Sequence, residues 1–137
     1  MTERGRVLAL DYGAARCGCA ISDPTRTLAT PLPPILRPGT RKGIRRIVSL
    51  AEELAVETIV VGLPLSLSGA DSAQTRETRG WADRLRRLVE VDVELLDERF
   101  TTKLAARAGG TMSEDSRAAA VLLEDWLTRD RGVGGLG

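Results

Sequence analysis

The sequence predicts one α/β domain: a five-stranded mixed sheet in the order 3-2-1-4-5, covered by helices on both faces. Three observations carry this. Two strand-like runs, Arg6 to Asp11 and Arg16 to Asp23, are separated by too few residues for a parallel crossover, which favours an antiparallel hairpin. Amphipathic helical segments then alternate with Ile- and Val-rich runs, as in a sheet with covered faces. The chain has 137 residues, which suits one core rather than two.

Taken in order, Arg6 to Asp11 is an apolar strand, and Asp11-Tyr12-Gly13 turns the chain into the strand from Arg16. Leu28 to Leu36 is a third strand. Its Pro31, Pro33 and Pro34 lack an N–H to give to a ladder, so it should lie at a sheet edge or break up into a loop. From Thr40 to about Ala55, the spacing of Ile44, Ile47, Val48, Ala51 and Leu54 predicts a helix, with Lys42, Arg45, Arg46, Glu52 and Glu53 largely on its other side. Thr58 to Gly62 is a buried strand ended by Pro64, with a loop from Leu65 to Asp71. A helix from about Ser72 points Trp81, Leu85 and Leu88 inward, and Val91 to Leu96 is the fifth strand. Thr101 caps a short third helix. The last helix, about Asp115 to Arg129, is apolar around most of its circumference and should be largely buried. This gives one domain over 1–130 and a flexible Gly-rich tail over 131–137. Right-handed crossovers place the fourth and fifth strands beside the first.

Composition narrows the chemistry. There is no histidine, which excludes histidine-based nucleophile activation and mixed-ligand zinc sites. Cys17 and Cys19 alternate onto one face of a strand and read as buried thiols. Twenty basic and 19 acidic residues give a net charge of +1, so attraction to a polyanion requires a local patch. No apolar run of about 18 residues is present. The expected location is the cytoplasm, without membrane association.

Carboxylates remain as the candidate reactive groups. Asp11 ends a central strand where the strand order changes direction, and Glu98 follows the fifth strand within Asp97-Glu98-Arg99. Asp115 opens the last helix, with Glu114 beside it as the alternative third ligand. Such carboxylates repel one another until a divalent cation relieves them, and hard oxygen donors suit one or two Mg²⁺ or Mn²⁺ ions. Each acid also has a purely structural alternative: Asp11 as an Asx-turn residue, Glu98 as a turn acid paired with Arg99, Asp115 as a helix N-cap.

Leu8-Ala9-Leu10-Asp11-Tyr12-Gly13, Val61-Gly62-Leu63-Pro64, Asp97-Glu98-Arg99-Phe100-Thr101-Thr102 and the stretch from Asp115 through Leu127 together resemble the YqgF (RuvX) family, in order and over nearly the whole chain. The resemblance implies a ribonuclease-H-like fold and a metal-dependent nuclease, acting on the 5′ end of pre-16S ribosomal RNA or as a Holliday junction resolvase. By motif it assigns Asp11, Glu98 and Asp115 to catalysis and metal binding, and Arg16 to the family's basic position after the turn. Tyr12, Gly13, Arg16, Ser66, Arg99 and Lys103 are the expected nucleic-acid contacts, with Tyr12 as a stacking platform and Gly13 allowing close approach of a phosphate. Ser66 replaces the family's common Asn, Ala14 and Ala15 its polar pair, and Met112-Ser113-Glu114 its basic cluster.

Three functions compete. The first is hydrolysis of RNA phosphodiesters. The second is cleavage of branched or single-stranded DNA, which at a junction requires a homodimer rather than a monomer. The third is a non-catalytic nucleic-acid-binding module. A fragment of an actin-like kinase is disfavoured, because the chain is short for that two-lobed architecture and no second Asp-x-Gly turn of that type follows Asp11.

Overall fold

A computed structural model describes residues 5–65, 71–98 and 112–136, the last segment as backbone alone at 112–115 and 131–136. The strands are β1 (Arg6–Asp11), β2 (Arg16–Ser22), β3 (Ala29–Leu36), β4 (Val56–Leu63) and β5 (Asp92–Asp97). The helices are α1 (Arg41–Glu53), α2 (Ala73–Leu88) and α3 (Met112–Leu136). The five strands form one sheet in the order β3-β2-β1-β4-β5, as the connection lengths predict. β1 is antiparallel to β2, with Asp11 opposite Gly18. It is parallel to β4, with Leu10 beside Val61, and β4 is parallel to β5, with Leu63 beside Asp97.

Alternation along the central strands makes two cores. Leu8, Leu10, Cys17, Cys19, Ile59 and Val61 meet Ile44, Ile47, Trp81 and Leu85 on the face covered by α1 and α2. Val7, Ala9, Ala20, Val60 and Leu96 meet Ala119, Ala120, Leu122, Leu123 and Leu127 of α3 on the other. Both cysteines are buried and free, as their spacing predicts.

The proline-bearing β3 lies at the sheet edge, and Pro33 and Pro34 fall where its pairing with β2 shifts register, the places in a sheet that tolerate a missing N–H. Thr40 caps α1 by accepting from the Gly43 N–H, and Ser72 caps α2 by accepting from the Thr75 N–H. The β2–β3 turn is held by Asp23, whose carboxylate accepts from the N–H groups of Thr25, Thr27 and Leu28. These bonds hold its pKa far below the ordinary carboxylate value.

Two expectations are corrected. Leu88, assigned to the inward stripe of α2, is 50% exposed: the buried stripe is Thr75, Thr78, Trp81, Ala82 and Leu85, and the helix ends before another turn meets the sheet. α3 spans Met112–Leu136, longer at both ends than the expected Asp115 to Arg129. The short helix expected at Thr101 falls outside the described residues.

Candidate metal centre

The parity that sorts the cores also sorts the acids. Asp11 follows Val7 and Ala9 onto the α3 face, and Glu98 follows Leu96 onto that face. Asp97 has the opposite parity. The carboxyl ends of β1, β4 and β5 are level, so Asp11, Gly62 and Glu98 lie across three adjacent strands at one end of the sheet. Asp11 is 6% and Glu98 9% exposed, a depth at which carboxylates require compensation.

Gly62 makes the space between them. A Cβ there would stand 2.7 Å from Oε1 of Glu98, closer than real contacts allow, and 3.1 Å from Cδ2 of Leu122, a tight one. The Glu98 carboxylate therefore lies over the bare backbone of β4, toward the Asp11 strand. Two buried carboxylates at such a cradle offer the hard oxygen donors that a divalent cation takes.

Asp115 starts within α3, and its side chain is outside the described residues. Its neighbour Ser116 is buried and fixes this end of the helix. The Ser116 hydroxyl accepts from the Cys19 N–H at 3.4 Å and donates to the Leu32 carbonyl. It fills the β2–β3 ladder where the register shifts between Cys17 and Cys19. Because Cys19 pairs with Leu10, this places the backbone of Asp115 one strand from the Asp11 strand. Among the described residues, no three potential ligands converge. The structure thus brings Asp11 and Glu98 to one cradle and the backbone of Asp115 to the same face.

The expected nucleic-acid contacts fare differently. Tyr12 points away from Asp11, through the sheet. It is 8% exposed, its ring is 4.7 Å from that of Trp81, and its hydroxyl donates to Oε2 of Glu77 at 2.7 Å. No ring face is left for a base. Gly13 gives close approach to the chain's own Arg16 carbonyl, 2.9 Å from where a Cβ would stand. Arg16 is half-buried at the start of β2, one turn from Asp11. Ser66, Arg99 and Lys103 lie outside the described residues.

Cys17 is no substitute ligand. Burial, its hydrogen-bond link to Cys19, and the charges of Cys19 and Asp11 push its thiol well above the ordinary value, leaving it protonated. Sequence reasoning missed Gly62 and Ser116. The signals were a glycine among β-branched residues and a small hydroxyl opening an alanine-rich helix.

Comparison with known proteins gives a consistent picture. The family described as "RuvX: Holliday junction resolvase" matches residues 5–129. A Mycobacterium leprae (strain Br4923) protein named "Putative pre-16S rRNA nuclease" is 40% identical, the match covering 94% of this chain and 76% of that one. A protein of the same name from Roseiflexus sp. (strain RS-1) is 37% identical over 95% of this chain and 99% of its own. Among solved structures, T. thermophilus RuvC in complex with Holliday junction substrate superposes with a TM-score of 0.57 at 15% identity, over 93% of this chain and 96% of that one, a likeness of fold.

Proposed function

Because the chain belongs to the RuvX family, we propose that it is a divalent-metal-dependent nuclease that hydrolyses phosphodiester bonds in RNA, its substrate the 5′ end of pre-16S ribosomal RNA in the cytoplasm. The observation that supports this most is the pair of buried carboxylates, Asp11 and Glu98, aimed onto one sheet face across the bare backbone of Gly62. Among the described residues no helix is long and apolar enough to cross a membrane.

Asp11 and Glu98, with Asp115 as the third carboxylate, would hold one or two Mg²⁺ or Mn²⁺ ions. When bound, the ion supplies Lewis-acid stabilisation at a phosphoryl oxygen and acidifies water at neutral pH. The chain's own work is positional. Strand ends fix Asp11 and Glu98, their burial keeps bulk water from competing for the carboxylates, and α3 closes the site from above. With no histidine in the sequence, no imidazole moves the proton. Arg16, Ser66, Arg99 and Lys103 are the proposed phosphate contacts. Tyr12 and Gly13 support the turn that carries Asp11.

Labelled single-stranded RNA and a DNA junction, incubated with the protein in Mn²⁺, Mg²⁺ or EDTA, test the reading. Wild type should cut RNA only with metal, and Asp11→Asn and Glu98→Gln should each lose about a hundredfold or more in rate while melting as cooperatively as wild type. Cleavage in EDTA, or undiminished cleavage by both variants, would refute it. The family description favours branched DNA as a second substrate, and preferential cutting of the junction would select it.

A further inference from the structure

The net charge of +1 conceals a segregation of charge along the chain. Between Asp23 and Glu52 the sequence carries Arg26, Arg37, Arg41, Lys42, Arg45 and Arg46 and no carboxylate. The fold gathers all but Arg26 on one surface. Arg37, Lys42, Arg45 and Arg46 line an open groove of about 850 Å³ between the end of β3 and α1, beside Ile35 and the 62% exposed Leu36. Arg41 and Arg45 also border a depression of about 340 Å³ with Arg84 and Arg87 of α2, so the cationic stripe continues onto the next helix.

This arrangement works against the helix that carries it. Arg41 with Arg45, and Lys42 with Arg46, are like charges four residues apart on exposed faces. Arg46 meets Glu53 at 3.6 Å, an exposed ion pair that offsets little of this repulsion. Arg84 is occupied with the carbonyl of Gly39. A row of such cations beside a groove with apolar walls complements a phosphodiester backbone.

Its position adds meaning. Residues 37–40 pack against the turn that follows Asp11: the Arg37 N–H donates to the Ala15 carbonyl at 2.9 Å, and the Tyr12 hydroxyl lies 3.2 Å from where a Cβ of Gly39 would stand. The stripe thus begins beside the carboxylate turn but extends over the α1 face, opposite the carboxylates. We propose that it is a second nucleic-acid contact outside the cleavage site, on which a strand passing the end of the sheet lays its phosphates along Arg37, Lys42, Arg45 and Arg46. The identity of the polyanion rests on the nuclease reading. The bound footprint is then longer than the cleavage site itself.

Fluorescence anisotropy of labelled single-stranded RNA, and of single-stranded DNA of equal length, in EDTA over a salt series, decides the matter. Arg45→Glu combined with Arg46→Glu should weaken binding by about tenfold or more and reduce the salt slope by roughly 0.7 for each phosphate left without its cation. Arg76→Glu, an exposed reversal on α2 outside the stripe, should stay within about twofold of wild type. The double variant should melt close to wild type, because two i,i+4 repulsions become attractions while the exposed Arg46–Glu53 pair is lost. Unchanged affinity and slope in the double variant, an equal loss with Arg76→Glu, or a wild type that binds neither polymer overturns the proposal. Metal-dependent cleavage at saturating substrate judges the nuclease reading separately. A chain that cuts but ignores the reversals keeps that reading and loses this one. Stronger binding of one polymer identifies which nucleic acid supplies the phosphates.

Discussion

At the scale of single residues, the site depends on a side chain that is missing. Gly62→Ala puts a methyl 2.7 Å from Oε1 of Glu98, and the flexible end of Glu98 is the part that yields. The fold should survive, with a melting temperature near that of wild type, while the displaced carboxylate costs about a hundredfold in cleavage rate and weakens Mn²⁺ binding measured by calorimetry. Glu98→Asp in the same chain shortens the acid past the obstruction and should restore part of both. Wild-type Mn²⁺ affinity in Gly62→Ala would show that Glu98 does not need the space. Tyr12 gives a second, independent handle. Burial and the hydrogen bond to Glu77 push its phenol up to about 12. Its folded pKa is raised, so its stabilisation is complete below pH 10 and is lost as pH rises from 10 toward 12, where the unfolded chain releases the proton and the folded one does not. A rise of this size corresponds to about 3 kcal/mol at most. Urea unfolding across that range should show this decline in wild type and its absence in Tyr12→Phe; equal slopes would place the pH dependence elsewhere.

At the scale of elements, α1 is locked to the strand before it. A Cβ at Gly43 would stand 2.1 Å from the Arg37 carbonyl, a backbone atom that cannot step aside. Gly43→Ala should therefore destabilise the protein by about 3 kcal/mol despite alanine's better helix propensity, read as a lower urea midpoint. A neutral or stabilising effect would mean that the 37–40 loop gives way. The elements are legible in the sequence where two signals agree. Thr40 and Ser72 each precede an apolar periodicity and each is an N-cap. Three prolines mark β3 as an edge. Leu88 misleads because periodicity records which side of a helix is apolar and not where the helix leaves the sheet.

At the scale of the whole molecule, the sheet order and the common edge of Asp11 and Glu98 follow from connection lengths and from acids placed at strand ends. The face is legible too, because alternation from Ala9 gives Asp11 one side of the sheet and Tyr12 the other, which rules out one residue both flanking the site and reaching into it. What the sequence hides is contact across distance: Gly62 beneath Glu98, and Ser116 in the β2–β3 ladder, separated from its partners by 97 and 84 residues. That stitch also sets an order in time. The edge strand and the far end of the chain must both be in place before the Ser116 hydroxyl has a donor and an acceptor to join, and closures over such distances are slow to form. A chain still being made, or one that has lost its last helix, holds Asp11 but not the helix that carries Asp115. If Asp115 is the third carboxylate, the proposed site is complete only once that helix has docked against β2 and β3.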